Sequence, residues 1–412
     1  MNESEFDQML AKYADVVVKI GLNLQKGQRL LIRAILDDAP LVRKVTESAY
    51  KAGAIFVDVL YTDERLIRIR LEHAEPESLN EVPNWTFARY EEYYQRMDAE
   101  LAISSADPEL MSGIAPDLIA TYRKAISQKM DPLRKYENST NWCVVSTASP
   151  AWAKKVFPEL SLKEAQGKLW GEIFASCRID TPDPVSAWSN HINSLKKYRE
   201  YLNNQRFAAL HFKGPETDLT IGLPEKHLWQ GAEAIFKNGI TGLPNLPTEE
   251  VFTTPHKDKV NGTVKATLPL NYSGALIEDF SLTFENGCAV KVTASRGKET
   301  LQKLIETDEN ACRLGEVALV PNSSPIGQRG ILFYNSLFDE NASCHIALGN
   351  SYRDTIIGGE NMADEEFQAQ GGNKSLVHTD FMIGSAQMDI DGIKQDGTRE
   401  PVMRAGEWAF EA

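Results

Sequence analysis

The sequence has few of the residues that mark a site by themselves. Its 412 residues include seven histidines and five cysteines, and no two cysteines form a CxxC pair. Cys143, Cys177, Cys288, Cys312 and Cys344 are odd in number and scattered. That pattern argues against a disulfide framework and favours a reducing compartment. Basic residues are also scarce: 44 Lys and Arg against 58 Asp and Glu leave a net charge of -14. A chain so charged lacks the basic face that phosphate backbones require, so no nucleic-acid partner is expected. No run approaches the roughly 20 apolar residues that cross a bilayer. The acidic, amphipathic opening MNESEFDQMLAKYADVVVKIGL has no basic segment ahead of an apolar core, so it does not read as a signal peptide. A soluble, cytoplasmic protein with no membrane partner is therefore expected. No GxGxxG follows the first expected strand and there is no P-loop, which leaves dinucleotide and nucleoside-triphosphate sites unsupported.

What is present is an ordered change of texture. Apolar positions recur at helical spacing over residues 4–21 and stop at Gly21. QRLLIRAIL (28–36) then reads as a buried strand, APLVRKVTESAYKAGA as a helix closed by Gly53, and AIFVDVLY (54–61) as a second strand. Strand, helix and strand at that spacing predict a parallel crossover. ELAISSA (100–106) and NWCVVST (141–147) extend the sheet, while the aromatic run NWTFARYEEYYQRM (84–97) reads as helix packing and not as a base-stacking platform. After a long helix ending near residue 203 come short strand-like segments: FAALHFKG, DLTIGL, GTVKATLPL, ALIEDFSLTFENGCAVKVTAS, EVALVP and GILFYNS. Glu285-Asn286-Gly287 marks a hairpin, and KETLQKLIETDENACRLG (298–315) reads as the one clear helix of this half. The fold class is α/β: an N-terminal α/β domain with a mainly parallel sheet (1–190), then a β-rich α+β domain (191–412).

Four fragments of the second half carry candidate chemistry. In VHTDFMIG, His378 and Asp380 are two apart on an expected strand and leave it on one face, where they can ligate one ion or form an ordinary surface pair. FDENASCHIALGNSY places Glu340 and His345 around a short turn, with Tyr352 beyond; alone it reads as a loop with incidental charges. In LGEVALVP, Glu316 leads from Gly315 into a buried segment, where a carboxylate is costly unless a cation or donor meets it. Finally LPTEEVFTTP sets Glu249 beside Glu250 between prolines. The other histidines, His73, His191, His211, His227 and His256, have no carboxylate at a suggestive offset and read as surface or satisfied core residues. Together the four fragments supply enough oxygen and nitrogen donors for two divalent ions sharing a carboxylate. The lack of a cysteine pattern favours an open, catalytic site.

The strings NLPTEEVFTTP, LGEVALVP, LFDENASCHIALG and VHTDFMIGS, in this order, resemble the signature segments of the thermophilic-type aminopeptidases, a family of dinuclear metallopeptidases that includes aminopeptidases T, S and II. The similarity runs over essentially the whole chain. It implies a cytoplasmic homodimer that removes N-terminal residues from peptides with a free N-terminus, using two divalent ions per subunit (Zn, Co, Mn or Mg). By the same resemblance the metal ligands are Glu250, Glu316, Glu340, His345, His378 and Asp380, and Tyr352 matches the tyrosine that follows the histidine. With two such ions Glu316 is expected to bridge them and Tyr352 to donate to the oxyanion, while Glu249 either takes the water's proton or binds the α-ammonium, or is a plain surface carboxylate. Two other readings stay open: a metal-dependent dipeptidase or amidase of narrower range, and a binding protein in which one metal only staples the β-rich domain.

Overall fold

A computed structural model describes residues 2–136, 138–272 and 275–411, apart from the side chains of Thr86 and Arg134. The chain folds into two compact units. One runs to Asn190 and includes Glu233–Pro247; the other comprises His191–Ala232 and the chain from Thr248 onward.

In the first unit, helix α1 (Glu3–Val16) starts at a capping box, with the Asn2 side chain accepting from the Glu5 N–H and Glu5 reaching back to the Asn2 N–H. It buries Leu10, Tyr13 and Val16, and a single π turn, Val17–Gly21, completes the expected helical stretch. Strand β1 (Arg29–Ile35) is followed by helix α2 (Ala39–Ala52) and strand β2 (Phe56–Thr62). Gly53 closes α2 at φ 99°, a left-handed conformation that glycine adopts without a Cβ penalty. Strands β3 (Ala99–Ile103) and β4 (Trp142–Val145) complete a wholly parallel sheet in the order β2-β1-β3-β4. Leu30, Leu31 and Ile32 are fully buried in succession, as befits a strand covered on both faces. The aromatic run forms the helix Trp85–Gln95, and its buried Tyr93 lies beneath the Arg29 guanidinium, 4.3 Å from the ring centroid. A cavity of about 380 Å³ lined by Arg33, Tyr94, Glu100 and Trp142 belongs wholly to this unit and contains none of the candidate ligands.

The second unit contains two large antiparallel sheets and a two-stranded antiparallel ribbon, Leu270–Tyr272 with Ala275–Ile277. The larger has eight strands, running from Cys288–Thr293 at one edge to Glu407–Trp408 at the other. Its hairpin turns at Asn286 (φ 49°) and Gly287 (φ 88°), the two positive φ values that the sequence signal called for. The smaller has five strands in the order His378–Met382, His345–Gly349, Leu314–Leu319, Val251–Thr253 and Gln230–Gly231.

Three sequence expectations need correction. The helix predicted over 298–315 ends at Ile305, because Asp308 accepts the N–H groups of Asn310 and Leu376 and turns the chain. Gly315 therefore lies inside the strand Leu314–Leu319 and is not a helix cap. GILFYNS is irregular and not a strand: the buried Asp339 carboxylate accepts the N–H groups of Phe333 and Asn335, which removes them from any ladder. The odd cysteine count also concealed a pair, since Cys288 and Cys312 form a disulfide that spans 24 residues, leaving Cys143, Cys177 and Cys344 as buried free thiols. A ring of that size restricts the unfolded chain, so Cys312→Ser is expected to lower the stability of the oxidised protein by roughly 3 kcal/mol. Urea titration of both forms measures this, and coincident midpoints would show that the bond does not hold the fold.

Candidate metal centre

The five-stranded sheet explains why distant fragments meet. Antiparallel pairing sets Ala347 opposite Glu316 on one side and opposite Asp380 on the other, so Glu316, Ala347 and Asp380 form one row across three strands. His345 lies two residues before Ala347, and His378 two before Asp380. The pleat therefore turns all four polar side chains to the same face. Only a methyl group occupies the middle of the row. The placement of Glu316 depends on a bulge: regular pairing from Leu314 opposite Leu348 would set it opposite Ile346, but the register shifts by one residue at Gly315. A Cβ at Gly315 would lie 2.2 Å from the Asn350 carbonyl oxygen, which accounts for the glycine. Glu250 precedes the neighbouring strand and shares the alternation of Phe252, which pairs with Ala318.

Glu316 occupies the centre of the cluster. Its Oε1 is 4.0 Å from His345 Nε2, and its Oε2 is 3.2 Å from His378 Nε2. His345 Nε2 is also 3.1 Å from Glu250 Oε2, and His378 Nε2 is 3.6 Å from Asp380 Oδ2. Two three-donor groups result, Glu250–Glu316–His345 and Glu316–His378–Asp380, with Glu316 common to both. Glu340 belongs to neither group, although its carboxyl interacts with the charges of Glu250, Asp380, His345 and Glu316.

The donor atoms are those a cation needs. His345 Nδ1 lies 3.2 Å from the Ser343 carbonyl and His378 Nδ1 2.7 Å from that of Asn350. A carbonyl can only accept, so each Nδ1 carries a hydrogen and each Nε2 is turned toward the carboxylates, where its lone pair could meet a cation. Buried Asp380 Oδ1 has no hydrogen-bond partner and buried Glu250 Oε2 faces only the His345 ring, a costly state unless positive charge meets them. Among the described residues no lysine or arginine forms an ion pair with Glu250, Glu316, Glu340 or Asp380. Proton affinities report the same imbalance. Burial, with the charges of Asp380 and Glu250, pushes Glu316 up to about 7 despite His378. Burial depresses the histidines, but the hydrogen bond to Glu250 and nearby carboxylates raise His345 to about 10, and Glu316 and Asp380 raise His378 to about 9. Four carboxylates converging in a largely buried cluster demand cations, and an all-oxygen-and-nitrogen donor set suits divalent ions.

Tyr352 is 46% exposed, with its ring 4.9 Å from that of His378 and edge-on to Phe252 at 5.9 Å. Desolvation and the carboxylates hold its hydroxyl well above the usual phenol range, so it remains a donor. Glu249 is buried and meets a different partner from Glu250. Its N–H donates to Asn341 Oδ1 at 2.7 Å, and its Oε2 is 3.4 Å from His191 Nε2. Of the five histidines set aside, His227 is buried against the Pro224 carbonyl and His256 is held by the Asp258 N–H, in keeping with their reading. His73 is 4.0 Å from Glu72 at the surface. His211 pairs with Asp218, however, and His191 faces Glu249; both partners are supplied by the fold, and neither offset is informative in sequence.

Comparison with known proteins also points to metal chemistry. Residues 6–408 match the family described as thermophilic metalloprotease (M29). Aminopeptidase T of Thermus thermophilus is 45% identical over 405 residues, 98% of this chain and 99% of that protein. Aminopeptidase AmpS of Bacillus subtilis is 46% identical over 407 residues, and Aminopeptidase 2 of Geobacillus stearothermophilus 45% over 410, each covering 99% of the relative and at least 98% of this chain. The solved structure of wild-type AmpT from Thermus thermophilus superposes with a TM-score of 0.93 at 44% identity, over 98% of this chain and 100% of that one.

Proposed function

The chain belongs to the thermophilic metalloprotease family M29 and is a metal-dependent aminopeptidase, and on that premise we propose that Glu250, Glu316, Glu340, His345, His378 and Asp380 hold two divalent ions per subunit, with Glu316 bridging them. The observation carrying this reading is the division of Glu316 between two histidines, one facing each oxygen. When bound, such a pair supplies a water of lowered pKa, a Lewis acid for the scissile carbonyl and an acceptor for a free amine. Glu249 takes the proton from the attacking water and returns it to the nitrogen of the departing peptide. Tyr352 donates its hydroxyl hydrogen to the oxyanion that forms on the carbonyl oxygen. The anionic wall of the cluster favours a substrate whose end carries positive charge. Zinc, cobalt, manganese and magnesium all suit these donors, which include no thiolate. Residues 191–412, apart from Glu233–Pro247 which folds with the first unit, act as the catalytic domain, residues 1–190 form an α/β domain, and the protein works as a cytoplasmic homodimer; the dimer and its compartment rest on the family resemblance.

Digestion of a free decapeptide, followed by mass spectrometry, tests the reading. Products one residue shorter at each step from the N-terminus are expected. A chelator should stop the ladder, and readdition of a divalent ion should restart it. Internal fragments, or full turnover by metal-free protein, would overturn the assignment.

A further inference from the structure

We propose that His191 is a positioning residue for Glu249, holding both its carboxylate and the peptide that precedes it. The inference rests on the reading of Glu249 as the group that accepts the water's proton. His191 belongs to the long helix Pro184–Gln205, whose Trp188, Ile192 and Leu195 are buried around it, so the imidazole is presented from a rigid element. Its Nε2 lies 2.9 Å from the Thr248 carbonyl oxygen, which fixes the hydrogen on that nitrogen because a carbonyl can only accept. The same atom is 3.4 Å from Glu249 Oε2, so its N–H is directed at the peptide carbonyl with the carboxylate alongside.

The other side of this peptide is held as well. The Glu249 N–H donates to Asn341 Oδ1 at 2.7 Å, while Asn341 Nδ2 donates to the Leu337 carbonyl and Ser324 donates to the Asn341 carbonyl. A helix therefore fixes the carbonyl before Glu249, and the turn carrying Glu340 fixes its amide. The need for such a clamp follows from adjacency: Glu250 must reach His345 while Glu249 faces elsewhere, and a rotation of the shared backbone would move both. A glutamate also has three free torsions, and a base displaced by an ångström loses on the order of 10²-fold in rate.

Kinetics of His191→Ala, Glu249→Gln and the double variant test the proposal. Removing the ring should lower kcat by roughly 10²-fold, with little change in KM, and with metal content and Tm near those of the unsubstituted protein. His191→Gln, whose amide N–H can still reach the Thr248 carbonyl, should recover most of the loss. In the Glu249→Gln background the histidine substitution should cost nothing further, because the two residues act through one group. Where the alanine variant does not fold, His191→Asn, which keeps an amide but shortens its reach, takes its place. Multiplicative losses in the double variant, or a fall in kcat accompanied by lost metal or lost Tm, would overturn the positioning role while leaving Glu249 as the base. Full activity in Glu249→Gln would instead remove the base assignment, and the proposal with it.

Discussion

Glu316→Gln is expected to release at least one divalent ion per subunit and to lower turnover by roughly 10³-fold or more, since several kcal/mol of transition-state stabilisation depend on the ion pair. The substitution preserves shape and removes the property that matters. Glu316 presents Oε1 toward His345 and Oε2 toward His378, so both oxygens are committed. Glutamine can offer an oxygen to only one side and must turn an amide NH₂ toward the other, where a cation would stand. Glu249→Gln provides the contrast: its carboxylate lies in neither donor group, so both ions should remain while the rate falls. Elemental analysis of the purified variants, alongside turnover, separates the two outcomes. Two ions retained in Glu316→Gln would remove it from the bridging position.

N-acetylation of a peptide substrate should reduce its hydrolysis by roughly 10²-fold or more. A water activated among these residues can attack any amide placed beside it, so confinement to the first peptide bond must come from recognition of the chain end. The free α-amine offers a lone pair and, when protonated, a positive charge. The site offers four carboxylates and no lysine or arginine paired to them among the described residues. Acetylation removes both the lone pair and the charge and adds bulk at the same atom. Paired digests of one peptide with free and blocked N-termini measure the effect, and equal rates would show that the amine is not the handle.

The parts of this arrangement that sequence alone reveals are those fixed by local geometry. His378 and Asp380 share a face because a strand alternates, and no distant partner is needed to say so. The hairpin at Asn286-Gly287 and the left-handed close of α2 at Gly53 are equally local. Glu316 is different. Its face is decided by a register shift against a strand some thirty residues later, and the reading of 298–315 as one helix concealed the strand that carries it. GILFYNS has the composition of a strand, yet the Asp339 carboxylate claims its amides, a competition that no periodicity records. His191 meets Glu249 from a distant helix, and Cys288 meets Cys312 across a strand and a helix. In each case the missing information is a tertiary pairing, not a residue preference.

The extra residue at Gly315 makes the orientation of Glu316 a matter of odd and even. Pulling the bulge straight without shortening the chain would set Glu316 opposite Ile346 and send the carboxylate through the sheet to its opposite side, whereas removing Gly315 would leave Glu316 opposite Ala347 in a regular ladder. A homologous chain can therefore lack the extra residue and keep the carboxylate on its face, but one that keeps the residue must also keep the bulge. Gly315 is no candidate ligand, yet a side chain there that forced the ladder straight would disarm the protein as thoroughly as loss of the glutamate itself.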